Sequence, residues 1–289
     1  MVGYDRTPFH EIAYDEPFCQ GDILHSDDGH NGGLGTFGVI ITADCDIAQG
    51  KDGGEFSTLH TITAEQYVAN NWARTETRKL VDRQIGIALE ALNAAIAQKD
   101  TSLQPLSQAS LTAWLDDQDP EAILDAVGIM GKSSRSEIAR ALNCAATRTT
   151  TTDEVPLNVL KGVWNLLGTS EKNIRARLAD VLDPSRGPPD MYFIPYLPGF
   201  AEIGFIIQLR SFGTIPRDQV FHTKTDAKLT DHSRKFYRIG RFRDGVKYSI
   251  VQRMVNLFSR VGLSDDYEEE SASAAHLVVD TIHSYVRGN

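Results

Sequence analysis

An apolar, β-branched run ends on two carboxylates in the segment Gly35-Thr-Phe-Gly-Val-Ile-Ile-Thr-Ala-Asp-Cys-Asp-Ile47. Continuous valine and isoleucine runs are typical of buried strands, so the segment predicts a core strand over residues 39–42. Alternate side chains of an extended chain share one face, which would place Thr42, Asp44 and Asp46 together. Because buried acids are costly without partners, this pair should face water, a turn amide, a metal ion or a ligand.

Two interpretations of Asp44 and Asp46 follow from this placement. The functional interpretation is that the two carboxylates hold Mg²⁺ or share a proton in acid–base catalysis. The structural interpretation is that they accept hydrogen bonds from the backbone amides of a turn. Cys45 lies between them, and we expect it to be a small buried hydrophobic residue rather than a nucleophile, because nothing around it indicates a depressed thiol pKa.

The composition is that of an ordinary globular protein with an acidic balance. The chain has 289 residues and a formal net charge of −10. It contains no run of about 18 apolar residues, so we expect no membrane-spanning helix, and its first residues lack the pattern of a signal peptide. Three separated cysteines, Cys19, Cys45 and Cys144, form neither a disulfide framework nor a C-x-x-C pair. They favour a reducing cytoplasm.

Three segments differ in their hydrophobic pattern. Residues 1–64 are strand-like and include a run, Phe56 to Thr63, that alternates like a half-buried strand. Residues 65–189 carry a helical apolar stripe at Val81, Ile85, Ala88, Leu92 and Ile96, and helix caps at Asp119-Pro120, at Ser133 or Ser134, and at Thr169-Ser170. Residues 190–289 return to strand character before two terminal helices. Neither strand-like segment can bury both of its faces alone, so we expect the N-terminal strands to pair with those after Met191. The predicted class is therefore α+β. We expect a small SH3-like β-barrel or sheet, built from both chain ends and interrupted by a helical insertion.

Positive charge is concentrated near the C-terminal end. The stretch from Lys224 to Arg260 holds ten basic residues and three acidic ones, with aromatic residues between them. Cations interleaved with ring faces suit single-stranded nucleic acid. The alternatives are that these bases pair with acids elsewhere in the chain, or that they belong to a strand with one buried face. The candidate nucleic-acid-binding residues are Lys235, Arg238, Arg241, Arg243, Lys247 and Arg253.

Two family resemblances rest on short motifs. Gly21-Asp-Ile23 followed by Val39-Ile-Ile-Thr42 and Asp44-Cys-Asp-Ile47 resembles uncharacterised bacterial proteins with a G-D-I … V-V-S-x-x-C-D-L pattern. Those proteins also carry a C-terminal helix ending in a phrase like Arg260-Val-Gly-Leu263. This resemblance covers about 100 residues at the two ends and implies no particular activity.

The same order of elements is similar to the SH3-like barrel of PemK/MazF-type ribonuclease toxins. That family has a G-D opener, a valine-rich strand, a strand ending in threonine and a C-terminal helix. The resemblance implies a catalytic role for Thr63, the last residue of Leu59-His-Thr-Ile-Thr63. This chain has Thr36-Phe-Gly38 where the family places an arginine.

Other motifs are better explained by structure than by chemistry. We favour an ordinary surface or packing role over each of four functional interpretations. These are a metal site in the glycine-rich loop, a general base near the basic stretch, a metal site on one face of the last helix, and the entry helix of a helix-turn-helix. The residues concerned are His25, His30, Asp27 and Asp28; His222 and His232; His276, Asp280, His283 and Arg287; and residues 133–143.

The sequence therefore predicts a cytoplasmic interaction or regulatory protein of bacterial type that binds an anionic partner, RNA or DNA, of the kind found in defence or toxin-related systems. One alternative is an enzyme, either a metal-assisted nuclease with Mg²⁺ on Asp44 and Asp46 or a toxin-like ribonuclease using Thr63. A third is a module that binds a partner protein without nucleic acid. No cofactor other than Mg²⁺ is suggested, and no membrane partner is expected.

Overall fold

Strands from both ends of the chain form one sheet in a computed structural model that describes residues 7–27, 36–99, 102–147, 155–183, 185–259, 269–270 and 273–279. The strands are β1 (Phe9–His10), β2 (Asp22–Ser26), β3 (Thr36–Ile40), β4 (Glu55–Thr63), β5 (Met191–Ile194), β6 (Phe205–Pro216), β7 (Val220–Phe221) and β8 (Phe236–Phe242). The α-helices are α1 (Asp44–Gln49), α2 (Ala64–Gln66), α3 (Ala73–Lys99), α4 (Gln108–Asp117), α5 (Pro120–Val127), α6 (Lys132–Ala146), α7 (Pro156–Leu166), α8 (Glu171–Leu182), α9 (Lys224–Lys228) and α10 (Asp244–Phe258). A π-helical segment, Tyr67–Trp72, joins α2 to α3, and a 3₁₀ turn, Arg217–Gln219, precedes β7.

The strand order confirms that the two chain ends pair with each other. The sheet runs β1-β8-β2-β3-β4-β6-β5, with antiparallel neighbours, and β7 pairs in parallel with β8. N-terminal β2 lies between β3 and C-terminal β8, and β4 pairs along β6. The predicted α+β class is therefore confirmed, with an antiparallel sheet drawn from both ends.

The sheet is open rather than closed into a barrel. Within the described residues, no ladder joins the edge strands β1 and β5. The two edges of the sheet nevertheless curl toward each other. The evidence is that the ring of Phe9 in β1 lies 5.3 Å from that of Tyr196, just after β5. The SH3-like character of the fold stays a prediction.

Both faces of the central strands are covered. On one face Ile23, Val39 and Leu59 pack with Ile250 of α10. On the other, Leu24, Ile40, Phe56 and Phe236 form a second cluster. All five residues of β2 are therefore buried, including the polar ones at its ends. Asp22 is one of them, and it needs partners inside the protein.

The helices of the middle segment form a third core against the sheet. The predicted stripe of α3 is confirmed, since Val81, Ile85, Ala88 and Leu92 are buried at helical spacing. Met191 of β5 and Ile206 of β6 join this core. Two predicted caps are confirmed: Asp119 accepts a hydrogen bond from the Ala122 amide at 2.9 Å before Pro120, and Ser170 caps α8. The cap predicted at Ser133 or Ser134 is wrong, because α6 begins at Lys132 after Gly131.

The prediction of an extended chain through Asp46 is wrong. Strand β3 ends at Ile40, and α1 begins at Asp44 with Ala43 as its N-cap and Gly50, in the left-handed conformation, as its C-cap. Both carboxylates lie in the first turn of a helix, where negative charge is favoured by the helix dipole. Residues two apart on a helix do not face each other, so Thr42, Asp44 and Asp46 do not share one strand face.

Among the described residues, none of the helices has the length and apolarity that crossing a bilayer requires.

Candidate anion-binding site

Asp22 is the centre of a buried charge network between β2, β8 and the loop before β2. Its side chain is completely buried, and its Oδ1 accepts a hydrogen bond from Arg241 Nε at 2.5 Å. Arg238 Nη1 lies 3.3 Å from Asp22 Oδ2, and the Cys19 amide donates to the same oxygen at 3.0 Å. Two of the predicted nucleic-acid-binding arginines therefore neutralise an internal carboxylate.

The remaining donors of these arginines are also engaged within the chain. Arg238 Nη1 donates to the Glu16 carbonyl at 2.9 Å, and its guanidinium lies 5.1 Å from the centroid of the Phe18 ring. Arg241 donates to the Pro17 carbonyl at 2.6 Å and pairs with the carboxylate of Glu16. Burial opposes the charge on Arg241, but the hydrogen bonds and charge of Asp22 outweigh it and raise its pKa. Arg238 and Arg241 thus bind the N-terminal segment to β8.

The predicted acid pair splits between two environments. Asp44 Oδ1 accepts from the Gln20 amide at 2.7 Å, and Asp44 Oδ2 lies 3.2 Å from Lys247 Nζ. Asp46 is half-buried on α1. Cys45 is exposed, so the prediction that it is buried is wrong.

Lys247 explains the glycine of the G-D opener. It lies at 8 % exposure with its ammonium between Asp44 and Asp244. Burial disfavours its charge, but hydrogen bonds to the two carboxylates raise its pKa. A Cβ atom on Gly21 would come within 3.1 Å of the Lys247 side chain, and Gly21 has a φ of 90°. Only glycine satisfies both constraints easily.

The described residues contain no group of three or more histidine, cysteine, aspartate or glutamate side chains placed to hold a metal ion. Asp44 is engaged by Lys247 and the Gln20 amide, and Asp46 does not face it on the helix. The donor set therefore gives no structural support to Mg²⁺ at Asp44 and Asp46.

Thr63 caps a helix. Its hydroxyl accepts from the Gln66 amide at 3.1 Å, and the Gln66 side chain accepts from the Thr63 amide at 3.3 Å. This reciprocal pair is a capping box at the junction of β4 and α2. The hydroxyl assigned a catalytic role by resemblance is thus occupied by a backbone contact.

The other predicted cations lie at separate places. Arg243 Nε donates to the Phe9 carbonyl at 3.1 Å, and Arg253 lies 5.7 Å from the centroid of the Tyr192 ring. Lys235 donates to the Thr230 carbonyl and lines a cleft. The structure therefore does not bring the six predicted nucleic-acid-binding residues onto one surface.

A cleft beside α9 and β8 is lined by three lysines of the basic stretch, Lys224, Lys228 and Lys235. Its volume is about 240 Å³. We name it the lysine cleft, and its polar lining is Asp27, Lys224, Lys228, His232, Ser233, Lys235 and Tyr237. Three lysines thus face one carboxylate in a small polar depression, an arrangement suited to an anion.

The inner wall of the lysine cleft is a hydrogen-bonded chain of polar groups. His25 Nδ1 lies 2.8 Å from the Tyr237 hydroxyl, which is 3.2 Å from Asp27 Oδ1. Lys224 Nζ lies 2.9 Å from Asp27 Oδ2. The rings of Phe37 and Phe200 pack on His25 at 4.6 Å and 4.9 Å between centroids, so the imidazole is buried.

Two pKa shifts follow from this chain of contacts. Burial raises the pKa of Tyr237 above its ordinary value, so the hydroxyl stays protonated at neutral pH. The hydrogen bond that Lys224 donates to the Asp27 carboxylate raises the pKa of Lys224, so this lysine keeps its charge. Both groups are therefore hydrogen-bond donors at the cleft.

The lysine cleft and the six predicted nucleic-acid-binding residues share only Lys235, although both lie in the basic stretch. Lys224 and Lys228 belong to that stretch but not to the predicted set, and His232 is a candidate general base in the sequence. The capping box of α9, with Thr223 accepting from the Asp226 amide at 3.2 Å, is the signal that could have located them. It places Lys224 and Lys228 four apart on one helical turn.

Several weaker motifs have simpler outcomes. His30 and Asp28 lie outside the described residues, as do Arg260, Asp280, His283 and Arg287, while His276 is exposed on a helical stretch. His222 stacks on Phe18 at 4.5 Å. The 133–143 motif lies within α6, where Ile138, Ala141 and Leu142 are buried in the helical core.

Comparison of the chain with models of protein families, with curated proteins and with solved structures finds no match.

Proposed function

We propose that this protein is a cytoplasmic interaction protein that binds the phosphate backbone of a nucleic acid at the lysine cleft. The observation that carries the proposal is the convergence of Lys224, Lys228 and Lys235 around a single small depression. Arg238, Arg241 and Lys247, by contrast, are buried against internal acids. The proposed partner is thus the anionic one predicted from the sequence, but the proposed site is the lysine cleft rather than Arg238, Arg241 and Lys247.

The size of the cleft decides which part of a nucleic acid it fits. Its volume of about 240 Å³ lies below the roughly 300–1,000 Å³ usual for pockets that enclose a small organic ligand. We expect a phosphate group, rather than a base with its sugar, to occupy this space. Lysines that contact phosphate act as point charges, and such contacts carry no sequence information. Binding should therefore be independent of sequence.

The acidic balance of the whole chain sets the strength of binding. A formal net charge of −10 repels a polyanion, and the lysine cleft supplies only a local excess of cations. We therefore expect weak binding with a strong dependence on salt, because most of its free energy comes from released counterions.

The test is fluorescence anisotropy with a labelled single-stranded RNA and a labelled duplex DNA, titrated between about 50 and 200 mM salt. Wild type should bind both. The double variant Lys228→Gln with Lys235→Gln should lower the slope of log affinity against log salt by about 1.4 for single strands, since each lost phosphate contact removes about 0.7.

The matched control is Lys161→Gln with Lys172→Gln. Both lysines are exposed on helices α7 and α8, and the change in net charge is the same. This control should leave the slope unchanged. Equal slopes for the two double variants would assign the interaction to overall charge and refute the lysine cleft as the site.

The enzymatic alternatives receive no comparable support from the geometry. Asp44 and Thr63 are both engaged in structural contacts. The toxin resemblance implies a closed SH3-like barrel, whereas the sheet formed by the described strands is open. Incubation of the same labelled RNA and DNA with and without Mg²⁺ separates binding from cleavage. Cleavage that is lost in Asp44→Asn with Asp46→Asn would favour the nuclease over the binding protein. If neither nucleic acid is retained, the partner-protein alternative takes precedence.

A further inference from the structure

A second and larger cleft lies where the helical segment meets the sheet. Its volume is about 570 Å³, within the range of about 300–1,000 Å³ that is usual for sites of small organic ligands. It shares no residue with the lysine cleft. We name it the junction cleft, and the lining residues that matter here are Tyr67, Trp72, Lys79, Asp190 and Arg210.

One wall of the junction cleft is an unusual helical segment. Residues Tyr67–Trp72 form six residues of π-helix between α2 and α3. Such segments are rare and occur frequently at functional sites. The wider turn brings the two ring-bearing residues Tyr67 and Trp72 to the same cleft, where they provide its aromatic surface.

The opposite wall is formed by α8 and the loop that leads into β5. Gly187 packs so closely there that a Cβ atom would lie 2.6 Å from the Val181 carbonyl oxygen and 2.8 Å from that of Asp183. A side chain at this position would push the loop away from α8. The loop that closes this side of the junction cleft is therefore held in place by backbone packing.

Most of the charges in the junction cleft are paired with each other. Arg177 pairs with Glu76, and Arg186 Nη1 lies 2.7 Å from Asp180 Oδ1. Arg210 Nε is only loosely paired, at 4.0 Å from Asp190 Oδ2, with 58 % of its side chain exposed. Lys79 also lines the cleft, and within the described residues its ammonium forms no ion pair. Two cations are thus available to a ligand.

Tyr67 adds a hydrogen-bond donor to the lining of the same cleft. Burial, together with the negative charge of Asp190, raises its pKa, so its hydroxyl keeps its proton at neutral pH. The tyrosine is 7 % exposed and belongs to the lining of the cleft. Its hydroxyl can therefore donate a hydrogen bond to a ligand there.

We propose that the junction cleft binds a small organic anion that joins a planar ring to a phosphate or carboxylate group. Lys79, Arg210 and the Tyr67 hydroxyl would hold the anionic group, and the rings of Trp72 and Tyr67 would contact the planar part. Arginine and lysine beside a donor hydroxyl suit either oxyanion.

The probes are adenosine 5′-monophosphate and benzoate, which carry the two anionic groups, with adenosine as a ring without the anion. Isothermal titration calorimetry of the full chain should give a saturable heat with at least one of the two anions. Saturable heat with the nucleotide shows that the cleft accepts a phosphate, and saturable heat with benzoate shows that it accepts a carboxylate. Adenosine should bind at least about tenfold more weakly than the nucleotide, since a charge-assisted contact is lost.

The decisive variant is Lys79→Gln with Arg210→Gln, which should lower the affinity for the anion at least about tenfold. Its control is Arg78→Gln with Arg175→Gln. Both control arginines are exposed on α3 and α8 and lie outside the cleft lining. Each double variant replaces two cations by glutamine, so the change in net charge is the same. Trp72→Phe should also reduce the change in intrinsic fluorescence that the anion produces.

Three results would overturn the proposal. One is the absence of saturable heat with either anion up to about 1 mM. Another is adenosine binding as tightly as the nucleotide. The third is equal weakening by the control pair, which would assign binding to the overall charge of the protein rather than to the junction cleft.

Discussion

Asp22 shows how one buried carboxylate determines the role of a basic stretch. It follows Gly21 at the start of β2, where it has no exposure to solvent, and it lies between two arginines of β8. Burying a charge is costly unless it is paired and hydrogen-bonded. The two guanidiniums, together with the Cys19 amide, satisfy that requirement. Arg238 and Arg241, which the sequence predicts to bind nucleic acid, instead hold the N-terminal segment on the sheet.

Replacing this carboxylate should destabilise the protein severely. Asp22→Asn leaves Arg238 buried without a counterion and Arg241 with only the partly exposed Glu16, so we expect the free energy of unfolding to fall by about 3–5 kcal/mol in urea denaturation. The control is Glu16→Gln, which removes a carboxylate that is 39 % exposed and should cost less than about 1 kcal/mol. Similar losses for both variants would contradict the central role of Asp22.

The junction of β4 and α2 shows a local element whose sequence signature has two interpretations. A threonine that ends a strand resembles a catalytic residue in one family, yet the same threonine followed three positions later by glutamine is a capping box. The observed hydrogen bonds, 3.1 Å and 3.3 Å long, favour the second interpretation. The π-helical segment follows immediately, so this cap also sets where the wall of the junction cleft begins.

Thr63 is expected to act on stability through this cap. Thr63→Ala should lower the free energy of unfolding by about 1 kcal/mol, because one amide at the helix start loses its acceptor. Thr63→Ser keeps a hydroxyl at the same place and should retain most of the stability. Thermal and urea unfolding of the two variants measure this difference. An alanine variant as stable as wild type would refute the capping role.

Three buried groups in different parts of the molecule make the free energy of unfolding depend on alkaline pH. Burial raises the pKa of Tyr67 in the π-helical segment and of Tyr237 in β8. For Lys247 of α10, hydrogen bonds to Asp244 and Asp44 outweigh burial and also raise the pKa. Each group holds its proton more tightly in the folded chain than in the unfolded one. Their contribution to stability is therefore complete below about pH 10 and is lost as pH rises further.

The free energy of unfolding should accordingly decline above about pH 10. Urea titrations at a series of alkaline pH values measure this decline. The double variant Tyr67→Phe with Tyr237→Phe should give a shallower decline, since two of the linked protons are removed. Tyr248→Phe is the control, because Tyr248 is 56 % exposed and should leave the profile as in wild type. A double variant with the same decline as wild type would show that these tyrosines are not linked to folding.

The local elements of this protein could be predicted from the sequence because they depend on neighbouring residues. The stripe from Val81 to Leu92, the cap at Asp119-Pro120 and the alternation of β4 each follow from spacing along a few turns or pleats. The need of two incomplete strand groups for partners also predicted that the chain ends would pair. The prediction for one local pattern is wrong. Asp44 and Asp46, which follow a strand, were predicted to lie in extended chain, but they lie in the first turn of α1, where the helix dipole favours negative charge.

The partners of the charged groups were decided only by the tertiary structure. Arg238 and Arg241 lie more than 200 positions from Asp22 in the chain, and nothing in their own spacing distinguishes an arginine paired inside the protein from one that meets a ligand. The same holds for both clefts, whose walls come from elements distant in sequence. Periodicity reports which face of an element is apolar, but the energy of a charge depends on what surrounds it in space.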